Sequence, residues 1–215
     1  VLGALAAATF VVVVGVAFRV ARTDTLDAVN LVWNLVLAWV PLLLALAIYD
    51  GARRGAPRLV LLVLGVLWLL FLPNAPYIVT DAKWLWEWES APLWYDAPLV
   101  GVAATIGLAL GFLSLFLLQR VVARAGGEPA AWLFAATALA LSAVGVSLGR
   151  FQRWNSWDLL HHPGPIARQL AVALTDPLDY PRVASITVAF ALFLLVTYVA
   201  LALGLRSRLE RLVER

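Results

Sequence analysis

"LVLLVLGVLWLLFLPNAPYIVTD", residues 59–81, decides how this chain folds. Leu59 to Leu72 carry no charge and are nearly all aliphatic or aromatic, the composition of a helix in hydrocarbon. Pro73-Asn74-Ala75-Pro76 then interrupts the run, which turns apolar again at Tyr77-Ile78-Val79 and ends at Thr80-Asp81. The two prolines bring no N–H, so the carbonyls of Leu69 and Leu72 lose their i+4 donors. Each proline also pushes its predecessor, Leu72 and Ala75, out of the helical region. At ~1.5 Å per residue the interruption lies about 22 Å from Leu59, short of the far edge of a bilayer core. Irregular backbone at that depth survives only where it is buried in protein or lines a wet cavity. The stretch therefore predicts a helix broken inside the membrane, whose freed carbonyls and Asn74 amide need partners on neighbouring helices. A kink that only lets the chain leave the bilayer is the plainer reading.

The rest of the chain agrees with a membrane setting. It is 63% hydrophobic and 13% charged, with a mean hydropathy of +0.91, far from the balance of soluble domains. Its apolar blocks are about 20 residues long and lack the polar faces of a soluble bundle. Six spans are predicted: Leu2–Val20, Ala28–Tyr49, Leu59–Val79, Ala97–Gln119, Ala130–Gly149 and Val183–Gly204. The fold expected is an all-α integral membrane protein, with the third helix broken at Pro73–Pro76 and short interfacial helices in the outer loops. Residues 1–205 form a single six-helix domain in this reading, and 206–215 a short basic cytoplasmic tail. The first span is read as uncleaved, since it has neither a basic leader nor a small-x-small cleavage pattern. Cysteine is absent, which removes disulfides, thiolate metal sites and cysteine nucleophiles.

Six spans put both termini on one side. That side holds nine of the sixteen basic residues, among them Arg53, Arg54, Arg58, Arg120 and Arg124. The opposite side carries most of the acids, including Asp81, Glu87, Glu89, Asp96 and Asp158. The positive-inside rule then makes the termini cytoplasmic, in a bacterial inner membrane. The two longest connections, 80–96 and 150–182, lie outside, and function is expected there.

Those outer stretches hold the candidate site residues. In "GRFQRWNSWDLLHH", 149–162, a continuing helix would gather Arg150, Arg153, Trp154, Trp157, Asp158 and His161 on one face. A helix stopping near Arg153 would instead let Asn155 cap a new one with Asp158 at its third position. Arg150 or Arg153 is expected to meet Asp81, Asp158 or the carbonyls freed at the proline break, since arginine suits carboxylates and orphan carbonyls. Snorkelling to lipid headgroups is the competing reading. Trp84, Trp86 and Trp88 read as interface anchors and "TDAKWLWEWES" as a short interfacial helix capped by Thr80 or Asp81, whereas Trp94 and Asp96 could wall a pocket. Asn34, deep in the second span, should face protein, with the proline break a candidate partner. Gly107 and Gly111, four apart, permit close helix packing.

In order along the chain, "WNLVLAWVPLLLAL" (33–46), "WLLFLPNAPYIVTD" (68–81), "PLWYD" (92–96), "GFLSL" (111–115) and "LGRFQRWNSWDLL" (148–160) resemble a bacterial multi-pass family catalogued as domain of unknown function 1361. The resemblance covers most of the chain and implies almost nothing about activity. This sequence departs from the family pattern at two places. Trp84 stands where a His is common shortly after the Thr-Asp pair, and His162 where Asn is usual.

Three functions follow from the residues. The first is an outward-facing binding or transport site for a small polar molecule or a lipid headgroup, built from Asn34, Asn74, Asp81, Trp94, Asp96, Arg150, Arg153, Trp154, Asn155, Trp157 and Asp158. The second is an outer-leaflet enzyme with Asp81 and Asp158 as acid and base and Arg150 or Arg153 on an anionic group. No nucleophile elbow, zincin motif or P-loop accompanies it. The third is a structural subunit of a membrane assembly. A metal on Asp81, Asp158, His161 and His162 is a minor variant, with no firm ligand spacing behind it. The expected partner is the bilayer, with no cofactor and no nucleic acid, since the arginines are scattered among short loops.

Overall fold

A computed structural model describes residues 1–152, 164 and 181–213. Every described element is helical: α1 (Leu2–Thr23), α2 (Val29–Arg53), α3 (Arg58–Phe71), α4 (Asn74–Tyr77), a 3₁₀ helix (Ile78–Trp86), α5 (Leu93–Gln152) and α6 (Pro181–Val213). Among the described residues five helices are long and apolar enough to cross a membrane, counting Arg58–Trp86 as one and α5 as one. Their outward surfaces require hydrocarbon. On α3, Leu59, Leu62, Val63 and Val66 form one exposed stripe, and Trp68 is its only buried residue. In water such a continuous apolar face would be an aggregation site.

The helix ends follow the sequence. Asp24 closes α1 in the left-handed conformation (φ 52°), which a short polar residue tolerates, and its N–H bonds the Val20 carbonyl. Gly55 (φ 74°) completes the turn after α2. Gly127 (φ 82°, ψ 172°) breaks α5 into limbs 93–126 and 128–152, within the Ala-Gly-Gly stretch at 125–127.

The chain divides into two units, Val1–Trp132 and Leu133–Arg215. In the first, α2 presents a seam of Leu31, Leu35, Ala38, Leu42 and Ala45, spaced alternately four and three. That spacing suits knobs-into-holes packing. Around it sit Val12 and Val16 of α1, Ala75 and Ile78 beyond the prolines, and Val100, Ala103, Ile106 and Leu110 of α5. Indole hydrogen bonds cross between helices: half-buried Trp39 donates from Nε1 to Thr9 Oγ1 (3.2 Å) and buried Trp68 from Nε1 to Ser114 Oγ (3.2 Å). In the second unit Leu139, Ala143, Val146, Leu194 and Tyr198 are buried. There Ser147 and Thr187 join α5 to α6, their hydroxyl oxygens 2.6 Å apart.

The proline interruption is milder than the sequence predicts. Leu72 remains right-handed helical (φ −52°, ψ −41°), as does Pro73 (φ −58°, ψ −26°). The chain does not leave the helix; it tightens. The Leu72 carbonyl, expected to be orphaned, accepts the Ala75 N–H at 3.1 Å, an i+3 bond. Beyond Tyr77 the tightening persists as a 3₁₀ helix through Trp86, well past the three or four residues usual for that geometry. The "TDAKWLWEWES" stretch thus continues the third span. Thr80 does not cap it, because its hydroxyl donates back to the Tyr77 carbonyl at 2.6 Å.

Candidate functional site

The turn at Pro73–Pro76 supplies most of its own partners. The Asn74 side-chain amide donates to the Phe71 carbonyl at 2.9 Å, filling the place left when the Ala75 N–H moved to Leu72. Glycine lets α5 lie directly against this turn. A Cβ added at Gly107 would fall on the Ala75 carbonyl oxygen, and one at Gly111 would stand 3.0 Å from the Ala75 Cβ. The glycine pair therefore serves contact with the proline turn. The Leu72 and Phe71 carbonyls thus find donors within the turn itself.

One turn beyond the interruption the 3₁₀ helix buries Asp81, only 1% exposed. Three residues per turn place Asp81 directly above Ile78, also fully buried, so the core that takes the isoleucine takes the acid as well. Asn34 of α2 reaches it there, its amide donating to Asp81 Oδ2 at 2.6 Å. Asn34 is thus met by an acid on the same interrupted span it was expected to face.

A second polar cluster lies at the same end of this unit. Arg19 of α1 and Asp96 in the first turn of α5 are each 1% exposed and form a forked pair, Nε to Oδ1 at 2.7 Å and Nη2 to Oδ2 at 3.0 Å. The remaining guanidinium donors reach Thr25 Oγ1 (3.3 Å) and Ser90 Oγ (3.0 Å), and Trp88 lies under the cation, 4.9 Å to the ring centre. Ser90 in turn donates to Asp27 at 3.0 Å, whose side chain is 42% exposed. The left-handed turn at Asp24 brings Thr25 and Asp27 back to Arg19. A buried arginine with its fork filled by a carboxylate and two hydroxyls is what a low-dielectric site requires.

Sequence reasoning did not single out Arg19, Thr25, Asp27 or Ser90. The signal was present: Arg19 falls inside the first apolar block, and an ionisable residue there demands a named partner. Trp88, read as an anchor, stacks on that arginine, while Trp86 is exposed as an anchor should be. Asp96 is paired with Arg19. Trp94 is 75% exposed and edge-on to Tyr95.

Arg150 stands half-buried in the last turn of α5. Arg153, Trp154, Asn155, Trp157, Asp158, His161 and His162 lie outside the described residues, as does any pairing of Asp158 with Asp81. Among the described residues no group of three or more His, Asp or Glu is placed to hold a metal ion.

The family model described as "protein of unknown function (DUF1361)" matches residues 33–203. The chain belongs to that family. In this DUF1361 member the matched region contains Asn34, the proline turn, Asp81, Ser90 and Asp96, whereas Arg19, Thr25 and Asp27 precede it. No curated protein matches the chain, and no solved structure does.

Proposed function

We propose that this DUF1361 protein is a six-crossing inner-membrane protein that binds, or passes on, a small polar molecule or lipid headgroup at its extracytoplasmic face. Six crossings count α5 twice: 60 residues of helix would run about 90 Å, three bilayer cores, and Gly127 divides it. The short basic link around Arg53, Arg54 and Arg58 and the end of the first α5 limb, with Arg120 and Arg124, are then cytoplasmic, together with the tail at 206–215. Asn34, Asp81 and Asp96 lie at the opposite end of their helices.

The observation that carries the reading is Asp81, an acid sealed inside the bundle with an amide of α2 for a partner. Acids in membrane interiors are costly and characteristically mark ligand, ion or proton sites. In this reading the 150–162 stretch supplies cationic and aromatic groups toward an anionic ligand.

The test is native mass spectrometry of the detergent-extracted full chain, comparing wild type with Asp81→Asn. The substitution keeps an acceptor for the Asn34 amide, so the fold and melting temperature should hold while a co-purified ligand mass disappears. A wild-type spectrum free of any adduct, an adduct that survives the change, or a variant that unfolds would each overturn the proposal, the last in favour of a structural role.

A further inference from the structure

We infer that the end of α2 and the end of the first α5 limb form a phosphate-binding site around Tyr49, filled by the headgroup of an anionic phospholipid. Tyr49 stands half-buried near the end of α2. Its hydroxyl accepts a hydrogen bond from Arg124 Nη2 of α5 at 3.2 Å. The Arg124 guanidinium carbon lies 5.2 Å from the centre of the same ring, and that of Arg53, one turn further along α2, lies 5.9 Å from it. Two exposed arginines from different helices thus gather about one phenol. Arg120, one turn back on α5 and also exposed, sits over Phe116 at 5.8 Å.

Among the described residues none of Arg53, Arg120 and Arg124 has a carboxylate within ion-pair distance. The acid next to Tyr49, Asp50, is held by Arg54 at 2.9 Å. The register that carries Arg120 and Arg124 ends at the Gly127 break, before Glu128. Like charges brought together repel, and an anion between them reverses the sign of that interaction. The donors here suit one anion in particular. Two guanidinium forks match phosphate oxygens in pairs, and the phenol keeps its own O–H to donate after accepting from Arg124. The surroundings settle what presents the phosphate. α2 has 25 residues, about 37 Å of helix against a ~30 Å core, so its last turn stands among headgroups. Toward the core, Leu43 and Phe116 are exposed to hydrocarbon, where acyl chains lie. A phosphate at Tyr49 is therefore at the depth where a phospholipid holds it, and basic pockets between membrane helices take anionic headgroups in this way.

The site lies about 22 Å along α2 from Asn34, so its test does not depend on Asp81. The whole chain in detergent is titrated with dioleoylphosphatidylglycerol or dioleoylphosphatidylcholine, and bound lipid is counted by native mass spectrometry. Wild type should hold one phosphatidylglycerol more tightly than phosphatidylcholine; equal affinities overturn the inference. Arg53→Gln and Arg124→Gln should each weaken phosphatidylglycerol about fivefold, the worth of one basic residue at an anionic surface. Tyr49→Phe, which removes a donor but no charge, should also weaken it about fivefold, the worth of one hydrogen bond. Arg58→Gln, which removes a charge outside the cluster, should change it less than about twofold, since water and salt screen it. Equal losses in Arg58→Gln and Arg53→Gln, or undiminished binding in Tyr49→Phe, would leave only diffuse surface attraction and overturn the inference. Displacement of the lipid by millimolar inorganic phosphate would also overturn it, in favour of a soluble phosphate ligand. Melting temperatures check the fold of each variant. Should Arg124→Gln loosen the helix pair, Arg53→Gln decides, because Arg53 touches Tyr49 only through the ring.

Discussion

Gly107→Ala tests whether α5 rests on the proline turn. The added methyl would overlap the Ala75 carbonyl oxygen, a backbone atom held by the i+3 bonding of the turn, so no side chain can swing aside to make room. Overpacking of this kind costs about 1–3 kcal/mol. Against it stands the gain of alanine over glycine in a helix, up to about 1 kcal/mol. A net loss of roughly 1–2 kcal/mol is expected. Gly111→Ala should lose less, because its Cβ would stand 3.0 Å from a methyl group that can yield by a few tenths of an ångström. Gly101→Ala, with nothing within 4 Å, should be neutral or slightly stabilising. Reversible unfolding in mixed micelles, followed by tryptophan fluorescence, reads all three against wild type. The order 107, 111, 101 from worst to best is the prediction. Equal stability of Gly107→Ala and Gly101→Ala would mean that the turn and α5 are not in contact.

Removing one member of the buried Arg19–Asp96 pair, by Arg19→Met or Asp96→Leu, should cost about 3–5 kcal/mol by leaving a charge without a partner. The double variant should lose much less than the sum, and additive losses in the same unfolding assay would deny the pairing. Asn34→Ala should cost about 0.6–1.7 kcal/mol, the worth of an interhelical hydrogen bond in a membrane; a loss above about 3 kcal/mol would show that Asn34 offsets a full buried charge. For sidedness, Glu89→Cys introduces an exposed thiol into a cysteine-free chain. An impermeant maleimide should label it on intact cells, and labelling only after permeabilisation would invert the topology.

The apolar blocks made the helices legible in sequence, because a bilayer demands length and hydrophobicity from each span independently. Glycines with positive φ, Gly55 and Gly127, stand where the chain turns between them. The course of the third span was not legible. Proline's preferences are local, and the packing of Ala75 against Gly107 holds Leu72 helical despite the proline that follows it. Asn34 and Asp81 were legible as polar residues in apolar surroundings, though not as partners. The Arg19 cluster draws on four separate elements, and which acid meets which arginine depends on helix order around the bundle, which no periodicity encodes.

The 3₁₀ helix from Ile78 to Trp86 gives the position of Asp81 a mechanical character. In this geometry each residue turns by about 120° and climbs about 2.0 Å, against about 100° and 1.5 Å in an α-helix. Over the four steps from Tyr77 to Asp81 the two windings differ by about 80° of rotation and 2 Å of height. Rewinding that segment as α-helix would therefore act as a screw, turning the carboxylate away from Asn34 and drawing it toward the proline turn. The pitch of nine residues, as much as their identity, keeps Asp81 seated on its amide partner.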